Sequence, residues 1–224
     1  MKRLFLAAAV TLTSLCAVAQ NKIDEGSISY TVEWKLPPQA PAQMASMLPT
    51  EMTVYFKGDS SATTSKTSMS STKSIMNSKT EYQRLLLDIP MMNKKFSIIF
   101  TPADMEQMED QKPDFELTVG TETKAIAGYN AQKYSVKEKR SGQTFDGWFS
   151  KDADIVPNSL TQFFDKSYGL PLEFVTFHNG MGLKATVKEI KKEAVPAGTF
   201  GGSKDYQEIT FDELKGMMGG AGRQ

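Results

Sequence analysis

Short runs of strict apolar–polar alternation recur along this chain, and they constrain its fold more than any other feature. In 26–36, Ile28, Tyr30, Val32, Trp34 and Leu36 fall on one side; Ser27, Ser29, Thr31, Glu33 and Lys35 fall on the other. Successive side chains of a strand point to opposite faces, so this pattern is a strand with one buried and one wet face. Residues 51–57 repeat the pattern with Met52, Val54 and Phe56, and 115–119 repeat it with Phe115, Leu117 and Val119. Leu85, Leu86 and Leu87 follow one another in 82–89, which predicts a central strand apolar on both faces, paired with 95–100 across a turn at 90–93. Asn179-Gly180 predicts a tight hairpin between strands at 170–174 and 183–190.

Helical signals are short. Residues 39–49 predict one helix, with Pro41 in its first turn and Met44, Met47 and Leu48 on one face. Thr101 as N-cap, Pro102 at the first position and Asp104 near the positive end predict a second, carrying Met105 and Met108 on one side. Asn158 predicts the cap of a third, with Leu160, Phe163 and Phe164 and a stop at Gly169. Thr210 and Glu213 have capping-box spacing for a last helix with Phe211, Leu214 and Met218.

Two stretches are less regular. Ser or Thr fills 13 of the 21 positions in 60–80. Such a tract is either a disordered linker or a pair of thin, exposed strands, and the strand patterns that bracket it closely favour strands. In 124–136 the apolar positions change phase after Gly128: Tyr129 and Ala131, then Tyr134 and Val136. Glycine within a strand often marks a bulge or bend, so this slip predicts a curved sheet. Ser141-Gly142 turns the chain, and Trp148 and Phe149 then load opposite faces. The fold class that follows is mainly β: an antiparallel, strongly curved sheet or half-open barrel, with three or four short helices over its concave face.

The chain has 224 residues. Lys2 and Arg3, the apolar run 4–15 and Ala17-Val18-Ala19 have the three parts of a secretory signal peptide, so 1–19 is expected to be removed near Ala19-Gln20. The apolar run falls short of the about 20 residues of a membrane span, and no later run is long enough, so no transmembrane span is expected. Leu15 before Cys16 is a poor lipidation context, and cleavage after Ala19 leaves a mature chain without cysteine. Residues 20–215 fit one β-rich domain and 216–224 a flexible Gly/Met tail. The formal net charge is +0, and loss of Lys2 and Arg3 makes it −2. Nothing in that balance suggests a nucleic-acid partner.

The order IAGYNAQKY (126–134), GWF (147–149), GLPLEF (169–174) and VKEIKKEAVP (187–196), with FKGD at 56–59, resembles uncharacterised secreted proteins of Gram-negative bacteria, the GLPGLI-type and related domains of unknown function. The resemblance spans 26–214. GLPLEF stands in place of the full GLPGLI wording, which points to a sister family. Ala131 stands where many relatives carry a cysteine. The resemblance implies a cell-envelope protein, periplasmic, outer membrane-associated or secreted, with a fold similar to the LolA/LolB lipoprotein carriers: a half-barrel with helices over an apolar cavity.

No catalytic constellation emerges. His178 is the single histidine, beside a turn, and a lone histidine lacks the partner that acid–base or nucleophilic chemistry needs. Asp152 and Asp154 begin like a calcium loop, but Pro157 occupies the required glycine position and Phe163 the last ligand position. The glycines of 216–222 follow a helix rather than a strand, so they do not suit a phosphate. Catalytic residues, metal and cofactor are therefore expected to be none. Methionine is the compositional oddity, with 13 residues; its flexible side chain fills cores and adapts to varied apolar partners. The candidate lining of an apolar site is Trp34, Met44, Met47, Phe56, Met105, Met108, Tyr129, Trp148 and Phe174. The expected function is a non-enzymatic envelope binding protein holding a lipid or acyl chain in the curved sheet. The alternative is a structural or protein-interaction domain of the envelope with a filled core.

Overall fold

The computed structural model describes residues 21–36, 42–178 and 181–220. The leader, Pro41 in the first turn of the expected 39–49 helix, and the Asn179-Gly180 turn lie outside the described residues. In chain order the elements are β1 (Asn21–Lys22), β2 (Glu25–Lys35), α1 (Ala42–Met47), β3 (Glu51–Lys57), β4 (Ser60–Lys66), β5 (Ser71–Asn77), β6 (Tyr82–Ile89), β7 (Lys94–Ile99) and α2 (Pro102–Gln107). There follow β8 (Phe115–Ile126), β9 (Tyr129–Glu138), β10 (Thr144–Ser150), β11 (Ala153–Asp154), β12 (Leu170–His178), β13 (Met181–Lys191), β14 (Gln207–Glu208) and α3 (Phe211–Gly220).

Twelve of these strands form one curved sheet that does not close, in the order β14-β7-β6-β5-β4-β3-β2-β13-β12-β10-β9-β8. Its neighbours are antiparallel, as hairpin spacing requires, except that β14 lies parallel to β7. β1 and β11 form a separate two-stranded parallel pair. These three two-residue strands carry no period that a sequence could display.

Register shows how the alternation is used. Ile190, Ile28, Val54, Thr63, Ser74, Leu85 and Ile98 lie side by side across seven strands. That face carries the main core, built on β2, β3, β9, β10, β12 and β13. It also carries a smaller cluster of Phe96, Ile98 and Leu214, which seats α3. The opposite face carries Ala62, Ile75 and Leu86 under Phe200 and Tyr206. The three leucines of β6 are explained by this double covering: Leu86 faces one cluster, and Leu85 and Leu87 face the other.

The Ser/Thr tract forms β4 and β5, as expected of strands, but its exposure is only partial. Ser61, Ala62 and Thr63 are buried because chain covers both faces there. Small hydroxyls suit this place because they can bond locally: Ser65 with Thr72 at 2.8 Å, and Thr64 to the Thr53 carbonyl at 3.1 Å.

Gly128 does not bulge a strand. It follows Ala127 in a two-residue turn between β8 and β9, with φ of 50° at Ala127 and 83° at Gly128. Positive φ at both positions is the hairpin geometry whose twist matches the strands. β9 runs on unbroken, and its change of apolar phase arises because both of its faces pack. The register shifts lie elsewhere, between Val119 and Thr123, Trp148 and Phe149, and Val187 and Glu189. Such shifts bend strands and raise their twist.

The helices differ from expectation in two respects. α2 begins at the expected N-cap Thr101, which also exchanges hydrogen bonds with Asp104 in a reciprocal cap, and α3 begins with the expected one between Thr210 and Glu213. The helix expected after Asn158 is a single irregular turn followed by a short 3-10 turn, Lys166–Tyr168. α3 continues through Gly216 to Gly220, so helix replaces the first part of the expected tail.

Candidate functional site

A half-barrel invites attention to whatever lies on its core face. Here that place is taken by the chain itself. Residues 153–168 leave β10 and lay Ala153, Ile155, Leu160 and Phe164 into the main core, with Val156 and Tyr168 packed beside them. Phe164 is the centre of the inlay. Its ring stacks on Phe115 at 4.7 Å and meets Phe149 and Phe174 edge-on at 5.3 and 5.4 Å. Tyr134 joins Phe149 and Tyr168 in the same way, at 5.3 and 5.5 Å. Offset and edge-to-face arrangements are the favoured ones for aromatic rings.

Asn158 holds this segment down. Its Oδ1 accepts from the Leu160 N–H at 2.9 Å, and its carbonyl accepts from the N–H groups of Thr161 and Gln162. Ser61 on β4 donates to the Pro157 carbonyl at 3.0 Å, which ties the segment to the sheet. Local bonding by an Asn side chain competes with a helix, and here the turn wins. The Asn158 Nδ2 and the Tyr30 hydroxyl are both buried without a completed hydrogen bond. Burial raises the Tyr30 phenol above its ordinary pKa, with Asn158 opposing, so it stays neutral.

The nine residues expected to line an apolar site divide into two groups. Trp34, Phe56, Tyr129, Trp148 and Phe174 all belong to the main core or pack against it. Phe56 and Phe174 are fully buried. Trp34 is half-buried and donates its indole N–H to the Pro49 carbonyl at 2.9 Å. Trp148 pairs across strands with Glu173, and the Lys124 ammonium sits 4.2 Å from its ring. Glu173 accepts from Lys124 at 2.9 Å and pairs with Lys184 at 3.4 Å. Its carboxyl lies below the usual range: burial pushes it up, but the two lysines outweigh that. The four methionines stand apart. Met44 and Met47 are exposed on α1; Met105 on α2 and Met108 at its C-terminal cap are half-buried, and α2 buries none of its residues. None of these four methionines belongs to the core clusters of the described residues.

Sequence reasoning missed the inlay as a unit. Its signal was present: Leu160, Phe163, Phe164 and Tyr168 crowd a stretch with no strand period, more apolar side chain than a surface loop carries. It missed Glu138 as well. This buried carboxylate accepts from the N–H groups of Asp114, Arg140 and Ser141 at 3.3, 3.2 and 2.6 Å. Burial raises its pKa, but the Ser141 hydroxyl and these three N–H groups carry it down to about 2. It clamps the β9–β10 turn to the start of β8.

A depression of about 110 Å3 lies beside the inlay between Asp154, Pro157, Phe164, Gly169 and Pro171. Another is an open groove of about 470 Å3 on the opposite sheet face, floored by Thr53, Thr64, Lys73 and Leu86 and walled by Tyr206. Among the described residues, no group of three or more His, Cys, Asp or Glu is placed to hold a metal ion. Asp152 is engaged locally, accepting from the Asn130 N–H at 3.0 Å. His178 ends β12 in register with Met181. No described helix is long and apolar enough to cross a membrane.

The class defined by this geometry is a mainly β, open-sheet domain with an inlaid core. Neither protein-family models nor curated proteins yield a match to the chain. A solved structure of PNGF-II is similar to it, with a TM-score of 0.52 and 18% sequence identity, over 87% of this chain and 33% of that one. Likeness at that identity concerns the fold alone. The chain thus spans about a third of the length of the protein it resembles.

Proposed function

We propose that this chain is a non-enzymatic interaction domain of the cell envelope, with a core filled by its own residues rather than by a carried lipid. The observation that supports this most is the inlay of 153–168, with Phe164 among Phe115, Phe149 and Phe174, in the place where a half-barrel carrier keeps its cavity. Binding then falls to surfaces, not to the aromatic core. The envelope address rests on the leader-like 1–19 pattern and on the resemblance carried by 126–134, 147–149 and 169–174.

Gentle purification of the full chain expressed with its leader, followed by solvent extraction and mass spectrometry, tests both halves. The expected product begins near Gln20, sits outside the cytoplasm, and yields no stoichiometric lipid. Recovery of one acyl-bearing molecule per chain would instead favour a carrier, and an uncleaved cytoplasmic product would remove the envelope assignment.

A further inference from the structure

The groove on the face opposite the core has a chemistry of its own. Thr53, Thr64, Lys73 and Leu86 form one row across β3, β4, β5 and β6, each paired in register with the next. Lys66 lies two residues beyond Thr64 on the same face. Lys66 and Lys73 are therefore diagonal cross-strand neighbours, a relation that places stems about 7–8 Å apart. Both line the groove, and among the described residues neither has a carboxylate partner. The groove's one carboxylate, Glu51, is already paired with Lys188 at 3.0 Å. Two neighbouring ammonium groups thus share a concave surface with nothing to neutralise them.

The remaining lining narrows the ligand. Hydroxyls from β3 to β5 line the floor, where the Thr64 hydroxyl donates to the Thr53 carbonyl and keeps its lone pairs to accept from a ligand, and the Tyr206 ring forms a wall anchored over Ala62, Ile75 and Leu86. An acyl chain would leave the Lys66 and Lys73 ammonium groups without a counter-charge. A ring bearing hydroxyls and an anion satisfies them, and about 470 Å3 falls in the range of small-ligand sites. We propose that this groove binds an acidic oligosaccharide, with its carboxylate or sulfate on Lys66 and Lys73, its hydroxyls on the threonine floor, and a sugar face against Tyr206. The proposal rests on the non-enzymatic binding reading but not on the absence of lipid, so each can fail alone.

Titration calorimetry of the full chain with polygalacturonate, dextran sulfate and neutral dextran, at low and high salt, tests it. Binding is expected for one or both acidic polymers and not for neutral dextran; which acidic polymer binds distinguishes carboxylate from sulfate. The double variant Lys66→Ala/Lys73→Ala should weaken binding about tenfold or more, the equivalent of losing two exposed charge contacts. The Lys66→Arg/Lys73→Arg double variant should keep it. A control pair far from the groove, Lys79→Ala/Lys151→Ala, should change it little. Equal loss in the control pair, equal binding of neutral dextran, or no binding of either acidic polymer by a folded chain would overturn the assignment.

Discussion

At the residue scale, single side chains hold the irregular joints between strands. Glu138 is held near pKa 2, below its ordinary 4.5, by donors from Ser141, Arg140 and Asp114 that outweigh its burial. A carboxylate depressed on folding contributes stability that is complete above its unfolded pKa and is lost as pH falls through the folded one. In Glu138→Gln, urea unfolding should show about 3 kcal/mol less of the stability loss that the unaltered chain suffers between about pH 5 and pH 2. Identical pH profiles would show that the clamp is not electrostatic. Gly169 has φ +97°, and a Cβ there would lie 2.3 Å from the Ser150 carbonyl oxygen. Gly169→Ala should therefore lose more than about 2 kcal/mol in the same assay, through both strain and collision. Neither role was fully visible in the sequence. Gly169 could be read as a stop signal, but its close approach to Ser150 is a tertiary fact. Glu138 looked like one more charge on a strand that ends in Lys-Arg.

At the element scale, what was legible follows from period and capping. β3 and β6 fall on the residues their patterns mark, and the caps of α2 and α3 form between the residues that have capping spacing. Thr210→Ala removes a hydroxyl that accepts from the Glu213 N–H at 3.2 Å. It should cost about 1 kcal/mol and increase hydrogen exchange in α3 ahead of the sheet. Unchanged exchange in α3 would mean that Leu214 alone, seated on Phe96 and Ile98, holds the helix. Elements without a period were not legible. β1, β11 and β14 have two residues each and exist because neighbouring backbone is within reach. The helix read after Asn158 failed because Asn158 spends its carbonyl and side chain on one tight turn. Gly128 was misread because a hairpin turn and a bulge both ask for positive φ, and only pairing distinguishes them.

At the scale of the molecule, one open sheet of twelve strands separates two environments. Its core face is closed by the 153–168 inlay and by α3, and its other face carries a polar groove beside Tyr206. That Trp34, Phe56 and Phe174 turn toward the core was legible because they sit on clean alternations. The surroundings of the methionines were not legible, because the spacing of Met44/Met47 and Met105/Met108 says which side chains share a helix face and nothing about where the helix docks. The account stands on Phe164 being core and not a hinged cover. Urea unfolding of Phe164→Ala measures this most directly. A packed inlay predicts a loss of about 3–5 kcal/mol, the range for truncating a buried aromatic. A loss below about 1 kcal/mol, with the cooperative transition kept, would show that the segment only rests on the sheet and would contradict the filled core.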